Sequence, residues 1–419
     1  MFEISTGMGR DWDGVKAIAD AITTLQKKLH QKPKFLLFFT TIHYKKGHRK
    51  MLDLISNSFG PDVPMVGGTI PGFIVKEGVF SRGVLIAAYV SDEVEVFQVV
   101  GTHTKRNPKR AATQLVEQIK KDSRVEKYKT KILIEFISGP TVPQFPMFKR
   151  KKVIRNNQIG KLLSLFSNLF LETFENGVGR EEEVLQTLAS NLADWQIIGG
   201  STLDDNNLID NMQFYGNQIL RNSIVGLVIL TNKSTSIKTT YGLKQSGKPL
   251  SIQLNDRNSR IITQVDSMPA VHGLLQKTGW FEDTLDEKLY RKTFHYTIGF
   301  KKNGILYPEV IGACYGSDIW VGYNMDGTDV QILIATGDKI LEAIKSNIDE
   351  QIGPKTDFFF MTCCASIMET LGRNNYLIKK ILDDKFNEKD YFLLYVGGED
   401  TYGPFHGCRH VNYSFNSIV

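Results

Sequence analysis

Two adjacent cysteines, Cys363 and Cys364, close an apolar run that begins near Asp357, and a loop leading to a helix follows them. A thiol placed there can have its pKa drawn down toward the thiolate. A thiolate nucleophile also needs a base in reach, for which His43, His406 and His410 are the candidates. The competing state, a buried and unreactive cysteine, is the commoner one and the weightier reading here. Acidic residues stand just beyond paired glycines: Asp204 and Asp205 after Gly199-Gly200, and Glu399 and Asp400 after Gly397-Gly398. They would either receive an amino group or sit as solvated loop charges.

The glycine pairs are themselves a candidate site. Backbone N–H groups at such turns can cradle an anion, although a tight strand end asks for the same residues. Nucleotide binding is not supported, because neither a Gly-x-x-x-x-Gly-Lys-Ser/Thr run nor a strand-linked Gly-x-Gly-x-x-Gly accompanies them. The eight histidines show no i, i+4 pair with an accompanying glutamate, so no metal site is expected. A haem would require an axial ligand in an apolar cavity, which the sequence leaves open.

The elements that position these residues form a repeat. A strand-like run stops at paired glycines three times: Val66-Gly67-Gly68-Thr69, Ile198-Gly199-Gly200-Ser201-Thr202 and Val396-Gly397-Gly398-Glu399. Each lies in the order helix, strand, helix, strand, Gly-Gly, strand. The first copy has helical periodicity over Asp11 to His30 and around Met51 to Phe59, with an apolar run at Lys34 to Thr41 and a strand at Gly83 to Val90. The second has helices at Pro108 to Lys121 and Glu181 to Trp195, a strand at Lys131 to Ser138 and a closing strand at Asn222 to Leu230. The third has helices at Asp338 to Gln351 and Asn374 to Phe386, a strand at Asp357 to Thr362 and a last one at His410 to Phe415.

Strands joined by a helix lie parallel, and the strand after a Gly-Gly loop can fold back antiparallel. The fold class is therefore mixed α/β, with repeated helix-strand-helix-strand-strand units forming mixed sheets. Ligands in open α/β sheets gather outside the carboxyl ends of parallel strands. That edge collects Thr41, His43, Gly67, Gly68 and Thr69 from the first copy, Gly199, Gly200, Ser201 and Thr202 from the second, and Cys363, Cys364, Gly397, Gly398 and Glu399 from the third. These are the expected ligand-binding residues, with the third copy as the chemical end and no residue assigned a catalytic role.

Length and composition fit this picture. A chain of 419 residues is longer than one core usually serves. Its 42% apolar and 23% charged residues are ordinary for a globular protein. The net charge of +6 is spread along the chain, which argues against nucleic acid as a partner. Met1-Phe2-Glu3-Ile4 lacks the order of a signal peptide and no apolar run is long enough to span a bilayer, so a cytoplasmic protein with reduced cysteines is expected.

Two segments fall outside the repeat. Residues 141–176 interrupt the second copy with a basic cluster, Lys149-Arg150-Lys151-Lys152, and an amphipathic stretch carrying Leu162, Leu165, Phe166, Leu169 and Phe170 on one side. An extra helix packed on the body is expected there. Peripheral membrane contact through 149–174 is the lesser reading. Residues 233–332 hold a linker-like stretch at 244–250, strand-like pieces such as Ile261 to Val265, and a turn at Asn324-Met325-Asp326-Gly327.

With these features in order, the chain resembles the FIST family (F-box and intracellular signal transduction). The amino-terminal FIST region is matched by Pro64-Met65-Val66-Gly67-Gly68-Thr69 and by Trp195-Gln196-Ile197-Ile198-Gly199-Gly200-Ser201-Thr202. The carboxy-terminal region is matched by Arg260 to Ala270, Tyr307-Pro308-Glu309-Val310, Gly327, Gly397-Gly398-Glu399, His406-Gly407 and Asn412. The resemblance implies a FIST N-like domain over 1–243 with two repeat units, and a FIST C-like domain over 251–419 with the third unit at 337–419. It also implies a non-enzymatic sensory module that binds a small polar ligand, an amino acid or another metabolite, and signals through a separate protein, since the chain shows no kinase, F-box or membrane segment. The alternatives it leaves are a haem-binding gas sensor and an enzyme using Cys363 or Cys364; no cofactor is expected on the main reading.

Overall fold

The computed structural model describes residues 2–142, 151–287, 293–302, 304–325, 328–353 and 356–419. Lys149 and Arg150 of the basic cluster, and Asp326-Gly327 of the expected turn, lie outside the described residues.

The mixed α/β class holds, and each repeat has three more strands than expected, one before its first helix and two in a hairpin. Unit one runs strand Phe2–Gly9, helix Gly14–Lys28, strand Phe35–Thr40, helix His48–Phe59, strand Met65–Thr69, hairpin Gly72–Val75 with Gly78–Phe80, and strand Val84–Ser91. Unit two repeats this with strand Glu95–Thr102, helix Pro108–Lys121, strand Thr130–Ser138, helix Glu181–Asn191, strand Gln196–Thr202, hairpin Gln213–Tyr215 with Gln218–Leu220, and strand Ser223–Thr231. In unit three the order is strand Ile237–Tyr241, helix Gly337–Gln351, strand Phe360–Cys364, helices Ala365–Leu371 and Asn375–Phe386, strand Phe392–Val396, hairpin Glu399–Gly403 with Gly407–Val411, and strand Ser414–Ile418. The stretch expected as one strand from His410 to Phe415 is thus divided between two. Tyr413, at φ +57°, turns the chain between them.

Each unit builds one six-stranded sheet, and the hairpins are exchanged. The hairpin of unit two completes the sheet of unit one, where Gln213 to Tyr215 pair with Val66 to Gly68. The hairpin of unit three completes the sheet of unit two, with Glu399 opposite Gly200 and Asp400 opposite Gly199. Unit one closes the ring, its Gly72 to Val75 pairing with Phe392 to Tyr395 of unit three. The three sheets share an apolar core between them, including Phe39, Phe136, Phe360 and Phe392. The glycine pairs therefore do not lie along one sheet edge; each lies where a strand passes from its own sheet toward the hairpin it gives away.

Unit three is split. Residues 243–335, inserted after its first strand, form two small antiparallel sheets and helix Ala270–Thr278. The stretch expected as a linker at 244–250 falls mostly within a strand, Leu243–Pro249, which pairs with Thr328–Ala335. Strand Val153–Ile154 from the unit-two insertion joins the second small sheet beside Ile311–Tyr315.

Helix Asn157–Phe174 is capped by Asn156, whose side chain accepts from the Gln158 and Ile159 amides. The orientation of its apolar side differs from the expected packing. Leu163, Ser164, Ser167 and Leu171 face the body, while Leu162, Leu165, Phe166 and Leu169 stay 53, 50, 41 and 52% exposed.

Candidate functional site

Strand Thr130–Ser138 places a glutamate, Glu135, in the middle of a run of Ile, Leu and Phe, and that carboxyl is buried. Its neighbour across the parallel pairing is Gly199. A Cβ on Gly199 would stand 1.9 Å from the Glu135 carbonyl oxygen and 2.8 Å from its carboxyl, so only glycine fits. The same contact recurs in unit one, where a Cβ on Gly67 would stand 1.9 Å from the Phe38 carbonyl.

Asp400 enters this place on the exchanged hairpin, opposite Gly199 and next to Glu135. Across the hairpin it faces His410, whose Nδ1 lies 2.6 Å from an Asp400 carboxyl oxygen. Gly398 makes room for the ring: a Cβ there would meet His410 Nε2 at 3.1 Å and Ser201 Oγ at 3.7 Å. Tyr323 stacks on the other side of the imidazole, ring centroids 6.0 Å apart.

Helix Glu181–Asn191 contributes Glu181 and Glu182 from its first turn, where the helix dipole favours carboxylates. Gly179 leaves the space that the Glu181 carboxyl occupies. From the inserted sheets come Arg260, in contact with Glu182 and 3.5 Å from Glu183, and Glu309, buried beside Gly322. Lys105, also buried, donates to Thr141 Oγ1 at 3.1 Å.

Glu181 and His410 reach a small cleft of about 60 Å³, whose walls also include Thr141, Val178, Ser201, Gly397, Val310, Trp320, Gly322 and Asn412. Ser201 Oγ, Trp320 Nε1 and Glu181 Oε1 are buried without a hydrogen-bond partner among the described residues. Two of these groups can donate and one accepts.

The electrostatics favour protons. Burial alone would push His410 down, but Asp400, with Glu181 and Glu309 behind it, reverses this and holds the imidazole at about 9. Burial pushes Glu309 up to about 8, with His410 and Arg260 opposing. Burial likewise raises Glu181, and raises Glu135 well above the usual carboxylate range, with Asp400 adding to it. At neutral pH His410 stands on the cleft wall as an imidazolium, Glu135 and Glu309 hold their protons behind it, and Glu181 is raised above the ordinary carboxylate value.

The expected site residues fare unevenly. Ser201 and Gly397 line the cleft, and Gly398 and Gly199 shape it from behind. Gly200, at φ +156°, packs against the Gly398 carbonyl. The amides of Gly397 and Ser201 are already spent, on the Ser201 and Gly398 carbonyls, so they offer nothing to an anion. Thr69 and Thr202 are structural: Thr69 accepts from the Met212 amide, and Thr202 joins a buried network with Asn211 and Gln213. Gly67 and Gly68 are walled in by Phe38 and by Thr202 with Met212. Thr41, 3.3 Å from His43, accepts from the Gly83 amide, away from the cleft. Asp204 is buried and accepts from the amides of Leu208 and Ile209, fixing its own loop.

Cys363, Cys364 and Glu399 form a separate buried place. Glu399 points to the opposite side of its strand from Asp400 and binds the Ser414 amide and hydroxyl at 3.2 and 2.9 Å. Burial, then the neighbouring Glu399, raises both thiols well above their ordinary value, which overrides the helix start beyond Cys364. All four cysteines are free.

Glu135, Glu181, Glu309 and Arg260 were not among the expected site residues, whereas His410 was expected only as a candidate base for the cysteines and Asp400 only as a candidate partner for an amino group. One signal was available for Glu135, a charge inside a continuous apolar strand; Arg260, Glu309 and His410 lay within or beside the stretches that carry the family resemblance. A haem does not fit this cleft, whose volume of about 60 Å³ is far too small for the macrocycle. Among the described residues no cluster of His, Cys, Asp and Glu could hold a metal ion.

The FIST N domain family matches residues 34–268, more than half of the chain. The chain belongs to the FIST family. The match runs from just before strand Phe35–Thr40 of unit one into the inserted sheets, and it marks the chain as carrying a sensory domain of signal transduction. No curated protein matches this FIST chain. Among solved structures, a cyanuric acid hydrolase from A. caulinodans is similar at 10% identity over 55% of this chain and 72% of that one, with a TM-score of 0.26, too slight a likeness to carry any argument. No helix among the described residues is long and apolar enough to cross a membrane.

Proposed function

We propose that this FIST chain is a non-enzymatic sensor whose ligand is a small amino compound, an α-amino acid in the simplest case, held in the cleft between Glu181 and His410 and read by a separate partner protein. The observation that carries the reading is the excess of buried carboxyl groups over buried cationic ones. Glu135, Glu181, Glu182, Glu309 and Asp400 outnumber Lys105, Arg260 and His410 by two. An ammonium group entering beside Glu181 supplies positive charge where carboxyls are otherwise kept protonated. The ligand's carboxylate finds complementary donors in His410, Ser201 and Trp320 on the same walls.

The reading gives Cys363 and Cys364 no role, and it is supported there by burial, which raises both thiols well above their ordinary value. Thermal-shift screening of the full chain tests it. Amino acids or amines at millimolar concentration should raise the melting temperature. Carboxylic acids lacking an amino group should not, and Glu181→Gln should abolish the effect. If no amino compound stabilises the protein, or if E181Q responds as wild type does, the proposal fails.

A further inference from the structure

We propose that helix Asn157–Phe174 is a self-association surface, on which a second copy of this chain docks its own helix Asn157–Phe174 antiparallel about a two-fold axis. The helix is fixed, so its outward apolar stripe is not one that could roll inward. Ser164 Oγ lies 2.7 Å from an Asp318 carboxyl oxygen, and Asn168 donates to the Arg257 carbonyl at 3.0 Å. Arg106 donates to the Glu172 and Thr173 carbonyls at 2.8 and 2.7 Å, and Gly160 packs directly against the backbone of Tyr315 and Gly316. The face left outside carries Leu162, Leu165, Phe166 and Leu169, each about half exposed. Soluble proteins rarely leave such a continuous stripe uncovered.

The occupant follows from the spacing and the charges. Steps of three, one and three residues separate these four side chains, an order that reads the same from either end. A two-fold axis between Leu165 and Phe166 therefore lays Leu162 against the second copy's Leu169, and Leu165 against the second copy's Phe166, as an isologous contact demands. On the same exposed side stand Lys161 near the start and Glu172 near the end. Neither forms an ion pair within the chain among the described residues. In the antiparallel pairing each Lys161 comes within two residues' rise of the second copy's Glu172, about 3 Å along the axis and within a lysine's reach. One lysine and one glutamate leave the stripe without net charge, which suits a second copy and not an anionic bilayer, whose helices carry rows of lysine and arginine.

Sedimentation of the full chain over a range of concentrations tests this, with thermal melts as the control for folding. A monomer–dimer equilibrium is expected. Leu165→Glu should weaken it by about tenfold or more, and Leu165→Ser serves in its place should L165E fold poorly. Lys161→Glu and Glu172→Lys should each weaken it by roughly threefold, and together they should restore it, which a merely structural role for either residue would not do. A chain that remains monomeric up to about 1 mM, a dimer indifferent to these changes, or a monomer that instead co-sediments with anionic vesicles would overturn the proposal.

Discussion

His410 concentrates the electrostatic character of the molecule in one ring, buried, bonded to Asp400 and held at about 9. Its folded pKa lies above the ordinary value near 6.5, so the folded state binds more protons than the unfolded one. The stability this gives is complete below pH 6.5 and is lost as pH rises toward 9. Glu309 and Glu399, both raised by burial to about 8, act in the same direction between about pH 4.5 and 8. His48 and His406, which burial lowers to about 4, act oppositely, but only below 6.5. The window from pH 6.5 to 8 therefore has one sign: melting temperature should fall across it, and His410→Asn should make the fall shallower. A melting temperature that rises over this range would contradict the assignment. Removing Asp400 alone should cost about 3–5 kcal/mol in chemical denaturation, because it strands a buried cation. Alkylation at neutral pH checks the cysteines: Cys363 and Cys364 should label only on unfolding.

At the scale of single elements, the repeat is held by backbone approaches that leave no space for a side chain. Gly67→Ala and Gly199→Ala should each destabilise by about 1–3 kcal/mol in urea, whereas Gly353→Ala, which meets nothing within 4 Å, should be near neutral. Equal losses at all three positions would remove the steric argument. The repeat was legible in the sequence because its helices show the 3.6-residue period and its central strands are continuous apolar runs, as in Phe35–Thr40 and Ser223–Thr231. The strand Leu243–Pro249 was not, because its lysines, glycine and proline follow turn chemistry while its pairing with Thr328–Ala335 is decided at long range. The site was half legible for the same reason. Ser201 and Gly397 announce themselves locally, whereas Glu181 at the cleft, and Glu135, Arg260 and Glu309 behind it, come together only when separate sheets are assembled.

At the scale of the whole molecule, the exchange of hairpins makes each sheet depend on a neighbouring unit. A chain ending at Gly398 lacks the hairpin that covers strand Gln196–Thr202, so hydrogen exchange there should lose its protection although the residues removed all belong to unit three. Protection unchanged in unit two would mean that the exchange is ornamental. The closing link has a consequence for how the protein comes into being. Gly72 to Val75 precede their partner strand, Phe392–Val396, by more than 300 residues. During synthesis the hairpin must wait, with one edge unpaired and adhesive, until that distant strand has left the ribosome. Such a molecule cannot mature piecemeal from its amino terminus. Its assembly is a knotless clasp fastened last, and its yield in a cell should depend more on what shields that waiting edge than on the stability of the finished fold.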